Sequence, residues 1–251
     1  MKNRLFYWFN FFKVYQNWPE LLLHRFKKTN ATKVVLKNGL TIKAFEKSPL
    51  SVISDEIFVL NRYTNHHKVK IKKGDIVVDI GAHVGVFSIF AATKEAVKIF
   101  SYEPDINSYK KNVENCKNNN MNNISIKNLA VTNSLGKVNL YLNKSDGRNS
   151  VFSKKKKSKI QVKSTTLRNI FKEEKIKKID FLKLDCEGSE GLIFESTPIR
   201  ILQKINKISM EYHNNLSSLN NLEIKKKLEG AGFFVKIVDL DKYIGYIYAW
   251  R

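Results

Sequence analysis

The chain has 251 residues, 43% of them hydrophobic, which suits one large domain with a short appendage, and no apolar run approaches the length of a membrane span. Its 45 basic and 23 acidic residues give a net charge of +22. That reads either as an acidic partner (nucleic acid, an anionic glycan or a lipid surface) or as a coding bias that enriches Lys, Asn and Ile together. Cys116 and Cys186 are the only cysteines, too far apart for a zinc site or a disulfide framework, and no secretory leader is legible, so a cytosolic setting is expected.

Residues 1–28 read as helical, with Leu5, Trp8, Phe9, Phe12 and Tyr15 near helical spacing. Trp18-Pro19 is expected to interrupt this helix and Leu21 to Leu23 to resume it. Aromatics flanked by Lys and Arg suit peripheral contact at a membrane interface, and the same pattern fits a helix packed on the domain or on a second subunit. Asn38-Gly39, between two short β-branched runs, predicts a β-hairpin. Residues 53–60 read as a short helix, a lid or support without chemistry of its own.

Residues 74–104 form the organising stretch. A run Ile76-Val77-Val78 ends in Asp79, a turn Gly81-Ala82-His83-Val84-Gly85 follows, then a helix, then a second run ending at Glu103. Strand, glycine turn, helix, strand, acid is the layout of a nucleotide-binding βαβ unit. Glu103 is placed to accept hydrogen bonds from both ribose hydroxyls. Dinucleotide sites use G-x-G-x-x-G, in which the second glycine admits a pyrophosphate. Here His83 stands in that place, so the expected ligand has ribose and adenine but no phosphate: S-adenosylmethionine. His83 itself fits either a ligand contact or a plain loop position.

Beyond this unit, a helix at 105–119 opens on Asp105, suited to capping, and strands are expected at 123–128, 137–142 and 160–163. The polar, basic loop 143–158 reads as a lid or as disordered. A helix at 165–174 and a strand ending at Asp185 follow. The turn Asp185-Cys186-Glu187-Gly188-Ser189-Glu190 gathers three acids where open sheets bind ligands. Asp185 and Glu187 are taken as functional, Glu187 as a candidate general base and Asp185 as the group that orders the donor, and Glu190 as a helix N-terminal charge. Glu211 and His213 share one side of the next strand by period two, which makes His213 a candidate base beside Glu187. A divalent metal on Asp185, Glu187 and His213 is an alternative that the acids allow; no metal is assigned. The last two strands are expected as an antiparallel edge on a doubly wound, mostly parallel seven-stranded α/β sheet.

DIGAHVGVFS, YEPD, STTLRNIF, IDFLKLDCEGSE and ISMEYH, in this order and spacing, resemble the FkbM family of S-adenosylmethionine-dependent methyltransferases. The resemblance implies a class I methyltransferase domain over residues 51–251, behind an N-terminal helical segment and hairpin at 1–50. It implies transfer of a methyl group to a hydroxyl, on a sugar, a surface glycan or a related metabolite. By position it implies that Asp79, Gly81, Ala82, His83 and Gly85 shape the methionine end and that Glu103 holds the ribose. Asn128 and Ala130 would lie near the adenine and Asp185 near the methyl donor. The family commonly has Asn where this chain has His83. A nucleic-acid methyltransferase is the alternative prompted by charge, but Asp185-Cys186-Glu187-Gly188 lacks the proline and aromatic that stack on a flipped base. A non-catalytic S-adenosylmethionine-binding protein is the other.

Overall fold

A computed structural model describes residues 2–46, 48–142 and 158–251; nearly all of the loop expected at 143–158 lies outside the described residues. Two helices open the chain, α1 (Lys2–Val14) and α2 (Trp18–Phe26). Pro19 stands in the first turn of α2, where its missing N–H breaks no helical hydrogen bond. It therefore starts a second helix rather than interrupting one. β1 (Lys33–Val35) and β2 (Thr41–Lys43) pair antiparallel, as the Asn-Gly turn predicts. α3 (Leu50–Ser54) runs directly into a π-helical turn at Asp55–Val59, and a 3-10 turn follows at Arg62–Thr64. π turns are rare and concentrate at functional sites.

Next come β3 (Ile76–Ile80), α4 (Val86–Thr93), β4 (Lys98–Tyr102), α5 (Ile106–Asn118) and β5 (Ile124–Lys127). β6 (Ala130–Thr132), β7 (Gly136–Tyr141) and β8 (Lys159–Thr166) form a separate three-stranded sheet. Thr165 and Thr166 end β8 instead of starting a helix. The Thr166 hydroxyl accepts from the Asn169 N–H at 3.1 Å and caps α6 (Leu167–Glu173). The chain closes with β9 (Phe181–Leu184), α7 (Glu190–Ser196), α8 (Ile199–Leu202), β10 (Lys207–His213), α9 (Asn221–Gly230), β11 (Phe234–Asp239) and β12 (Ile244–Trp250).

The main sheet has seven strands in the order β11-β12-β10-β9-β3-β4-β5. Strands β5, β4, β3, β9 and β10 are parallel, while β12 runs antiparallel to both β10 and β11. From β3 the chain winds outward to β4 and β5, then returns to the other side of β3 as β9. That reversal is the topological switch point at which open α/β sheets bind ligands.

Alternate residues of the central strands feed two layers. Val77, Ile99 and Phe181 pack with α4 and the N-terminal elements, and Val78, Phe100 and Leu182 pack with α6 to α9. Phe11, Tyr15, Leu21, Val34 and Ile42 are fully buried in the first layer, each contributing about 1.5–3 kcal/mol if aliphatic or Phe. Residues 1–50 thus share one core with the sheet.

Candidate active site

A cleft of about 360 Å³ opens at the carboxyl ends of β3, β4, β9 and β10. One end is an apolar slot of Pro104, Leu129, Ala130, Val131 and Leu140. Gly81, His83 and Glu103 line its middle, and four carboxylates, Glu56, Asp185, Glu187 and Glu211, line the other end.

The turn after β3 is shaped by packing. Gly81 has φ +78°, and a Cβ there would lie 1.8 Å from the Asp185 carbonyl oxygen, so only glycine lets the two strand ends come together. Gly85 has φ +90° and stands at the N-cap of α4, where a Cβ would meet Asn112 Oδ1 at 2.1 Å. Its close approach is therefore to α5, not to a ligand as expected. Ala82 is buried and does not line the cleft. Asp79 also lies beneath the floor, fully buried, accepting from Ser88 Oγ at 2.7 Å and paired with Lys183 Nζ at 3.1 Å. Lys183 donates to the Gly81 carbonyl at 2.8 Å and stands 3.9 Å from Asp185. Burial opposes its charge, yet Asp79 and Asp185 hold its pKa above the ordinary lysine value. Lys183 is thus the pin beneath the glycine turn. Replacing it with Met leaves the Asp79 charge buried and unpaired. Urea unfolding should show a loss of about 3–5 kcal/mol, and Asp79→Asn added to Lys183→Met should recover part of it.

Glu103 ends β4 and faces the cleft. Its Oε2 accepts from the His83 N–H and its Oε1 from the Asp105 N–H, both at 2.8 Å. These bonds aim the carboxylate and leave lone pairs for ligand hydroxyls. Burial pushes its pKa up to about 7, against the lowering effect of the two N–H donors. The Asn128 amide donates at 2.9 Å to the carbonyls of Glu103 and Pro104. It fixes the turn that carries Glu103 instead of lining the adenine end, where its neighbours Leu129 and Ala130 stand. The His83 ring lines the cleft, its buried Nδ1 has no hydrogen-bond partner among the described residues, and burial lowers its pKa to about 4. The ring thus favours its neutral form.

The acidic end is built from distant segments. Tyr63, in the 3-10 turn, donates to Asp185 Oδ2 at 2.7 Å and to Glu211 Oε2 at 3.4 Å, and Tyr246 on β12 donates to Glu211 Oε2 at 3.0 Å. Glu56, in the π turn, faces them. Burial first, then the charges of Glu211 and Asp185, push its pKa up to about 7. Glu190 is fully buried and accepts from the N–H groups of Cys186 and Gly188 at 3.0 and 2.8 Å, tying down the acid-rich turn.

His213 does not line this end. It is buried behind it, 3.6 Å from Glu187, 3.7 Å from Glu190 and 3.5 Å from Glu211. Burial works against its charge, but Glu190, Glu211 and Glu187 raise its pKa to about 11. The carboxylates around it favour its charged form, and it stands behind the cleft rather than in it, which argues against its reading as a base. It holds the carboxylates together instead. Cys186 lines the cleft, and burial followed by Glu190 raises its thiol pKa well above the ordinary value, so it is no nucleophile. Among the described residues no group of three His, Cys, Asp or Glu side chains is arranged to hold a metal ion. Glu56, Tyr63 and Lys183 are the site residues that sequence reasoning missed.

The family described as Methyltransferase FkbM domain matches residues 79–243. A stretch of 70 residues, 28% of this chain, is 33% identical to the 31-O-demethyl-FK506 methyltransferase FkbM of Streptomyces tacrolimicus, of which it covers 26%. A crystal structure of Methyltransferase FkbM from Methylobacillus flagellatus KT superposes on 82% of this chain and 56% of its own, with a TM-score of 0.53 at 13% identity. The chain thus matches only part of the length of these relatives.

Proposed function

The chain belongs to the FkbM methyltransferase family, whose methyl donor is S-adenosylmethionine, and from that premise we propose that it methylates a hydroxyl group of a sugar, a surface glycan or a related metabolite. The observation that carries this reading is the polarity of the cleft, with an apolar slot at one end, the Glu103 carboxylate in the middle and four carboxylates at the other end. The donor fits the residues present. The slot around Ala130 suits an adenine, Glu103 the ribose hydroxyls and the orphaned His83 Nδ1 a polar group of the methionine portion. The carboxylate end suits the cationic part.

Bound S-adenosylmethionine supplies an electrophilic methyl group. The protein has to hold the acceptor oxygen in line, which is worth about 7–11 kcal/mol at best, and to accept one proton. Glu56 is the group we assign to that proton, because its pKa of about 7 matches what a base needs near neutrality. Asp185, hydrogen-bonded to Tyr63, orders the reacting end, and Glu211 accepts hydrogen bonds from the hydroxyls of Tyr63 and Tyr246. The curated relative's name describes an O-demethyl substrate, which supports oxygen as the target. A nucleic-acid acceptor is disfavoured because its phosphates would meet these acids. The thiols of Cys116 and Cys186 are free, which suits a cytoplasmic setting.

The test is transfer of tritium from methyl-labelled S-adenosylmethionine to a panel of saccharides, polyhydroxylated metabolites and RNA. Base-stable label on a saccharide or metabolite is the expected result. Label confined to RNA, or no transfer at all by protein that binds the donor, would overturn the reading.

A further inference from the structure

α1 and α2 leave an apolar face outside the fold. On α1, Leu5, Phe6, Phe9 and Phe12 are 70, 61, 67 and 40% exposed, and on α2, Leu23 and Phe26 are 52 and 83% exposed. The opposite faces of the same helices are sealed by Phe11 and Leu21, and the residue that follows α1, Tyr15, is buried too, so this is not the exposure of an undocked helix. The rings of Phe12 and Trp18 meet edge to face at 5.2 Å, joining the two outer faces into one patch. Contiguous apolar patches of this kind mark interaction sites.

Charge identifies the occupant. Residues 1–28 contain six Lys or Arg and one Glu. Arg25 is committed to Asp55, and Arg4, Lys13, Lys27 and Lys28 are exposed. A second copy of a chain carrying +22 would bring like charge to this rim, whereas anionic headgroups bring the opposite one. Among the described residues no helix is long and apolar enough to cross a membrane. Aromatic side chains ringed by cations on a short amphipathic helix fit the headgroup boundary of a bilayer.

We propose that the α1–α2 face docks the protein on an anionic bilayer. The dock is coupled to the cleft wall by one residue. Tyr7 of α1 donates to Asp55 Oδ2 at 2.8 Å and Arg25 of α2 pairs with the same carboxylate, while the next residue, Glu56, lines the cleft. Docking does not depend on the methyl-transfer reading and stands or falls separately.

The experiment is co-sedimentation of the full chain with vesicles of phosphatidylcholine alone and of phosphatidylcholine with phosphatidylglycerol, at an ionic strength of about 0.15 M. Binding to the anionic vesicles, at least about tenfold stronger than to phosphatidylcholine alone, is expected. The combined variant Phe6→Ser, Phe9→Ser, Phe26→Ser should lose at least about tenfold, and so should Lys13→Glu with Lys27→Glu and Lys28→Glu. Both variants should still bind S-adenosylhomocysteine, which certifies their fold. Equal sedimentation of wild type and the Phe variant would overturn the proposal. So would a dimer in light scattering that the Phe variant abolishes, with no vesicle binding by the wild type.

Discussion

Replacing Glu56 with Gln is expected to cut methyl transfer to the acceptor by about 10²–10⁴-fold, the usual worth of a positioned base. S-adenosylhomocysteine affinity should stay within about threefold, because the ribose clamp is Glu103 and not Glu56. The reason is the placement of Glu56 across the cleft from Asp185 and Glu211, whose charges add to burial in raising its pKa to about 7. Its charged form is therefore the scarce one below that pH and the working one above it. The wild-type rate should rise with pH through about 7 and flatten beyond, and the Glu56→Gln enzyme should lose that limb. If Glu187→Gln removes the limb and Glu56→Gln leaves it, the proton goes to Glu187 instead.

Affinity for S-adenosylhomocysteine should fall as pH drops through about 7, by about tenfold between pH 8 and pH 6. Glu103 sets this window. Its pKa is raised to about 7 by burial, and only the carboxylate accepts from both ligand hydroxyls. Ligand binding therefore favours the deprotonated form, is complete above pH 7, and must expel a proton below it, which costs about 1.4 kcal/mol per pH unit. Glu103→Gln keeps one acceptor and has nothing to titrate, so it should bind more weakly and show a flatter profile. Calorimetric titrations at several pH values check this, and a flat wild-type profile would show that Glu103 does not take the hydroxyls.

How much of this was legible in the sequence follows from the range of the interactions. The central parallel strands β3, β4 and β9 announce themselves because each is a short, mostly apolar run with an acid at or beside its end. Asp79, Glu103 and Asp185 stand at those ends, so their placement at the sheet edge follows from the chain itself. Which of them faces the ligand does not follow. Asp79 is drawn under the floor by Lys183, and Gly85 answers to Asn112 on another helix. His213 beside an acid resembles a base until the fold brings Glu187, Glu190 and Glu211 around it, which favours its charged form. Glu56 and Tyr63 were invisible for the opposite reason. The short helix expected at 53–60 gives no sign that it passes into a π turn followed by a 3-10 turn, and Asp55 is held there by Tyr7 of α1 and Arg25 of α2, contacts set by packing across the chain.

The central claim is that this cleft binds the methyl donor through Glu103. Isothermal titration of S-adenosylhomocysteine into the wild-type chain at pH 8, and into Glu103→Ala, tests it most directly. Each hydrogen bond to a charged group is worth about 1.5–3 kcal/mol. The expected result is one site per chain in the wild type, weakened by about 10² or more in the variant. Wild-type and Glu103→Ala protein binding equally, or neither binding at all, would contradict the account.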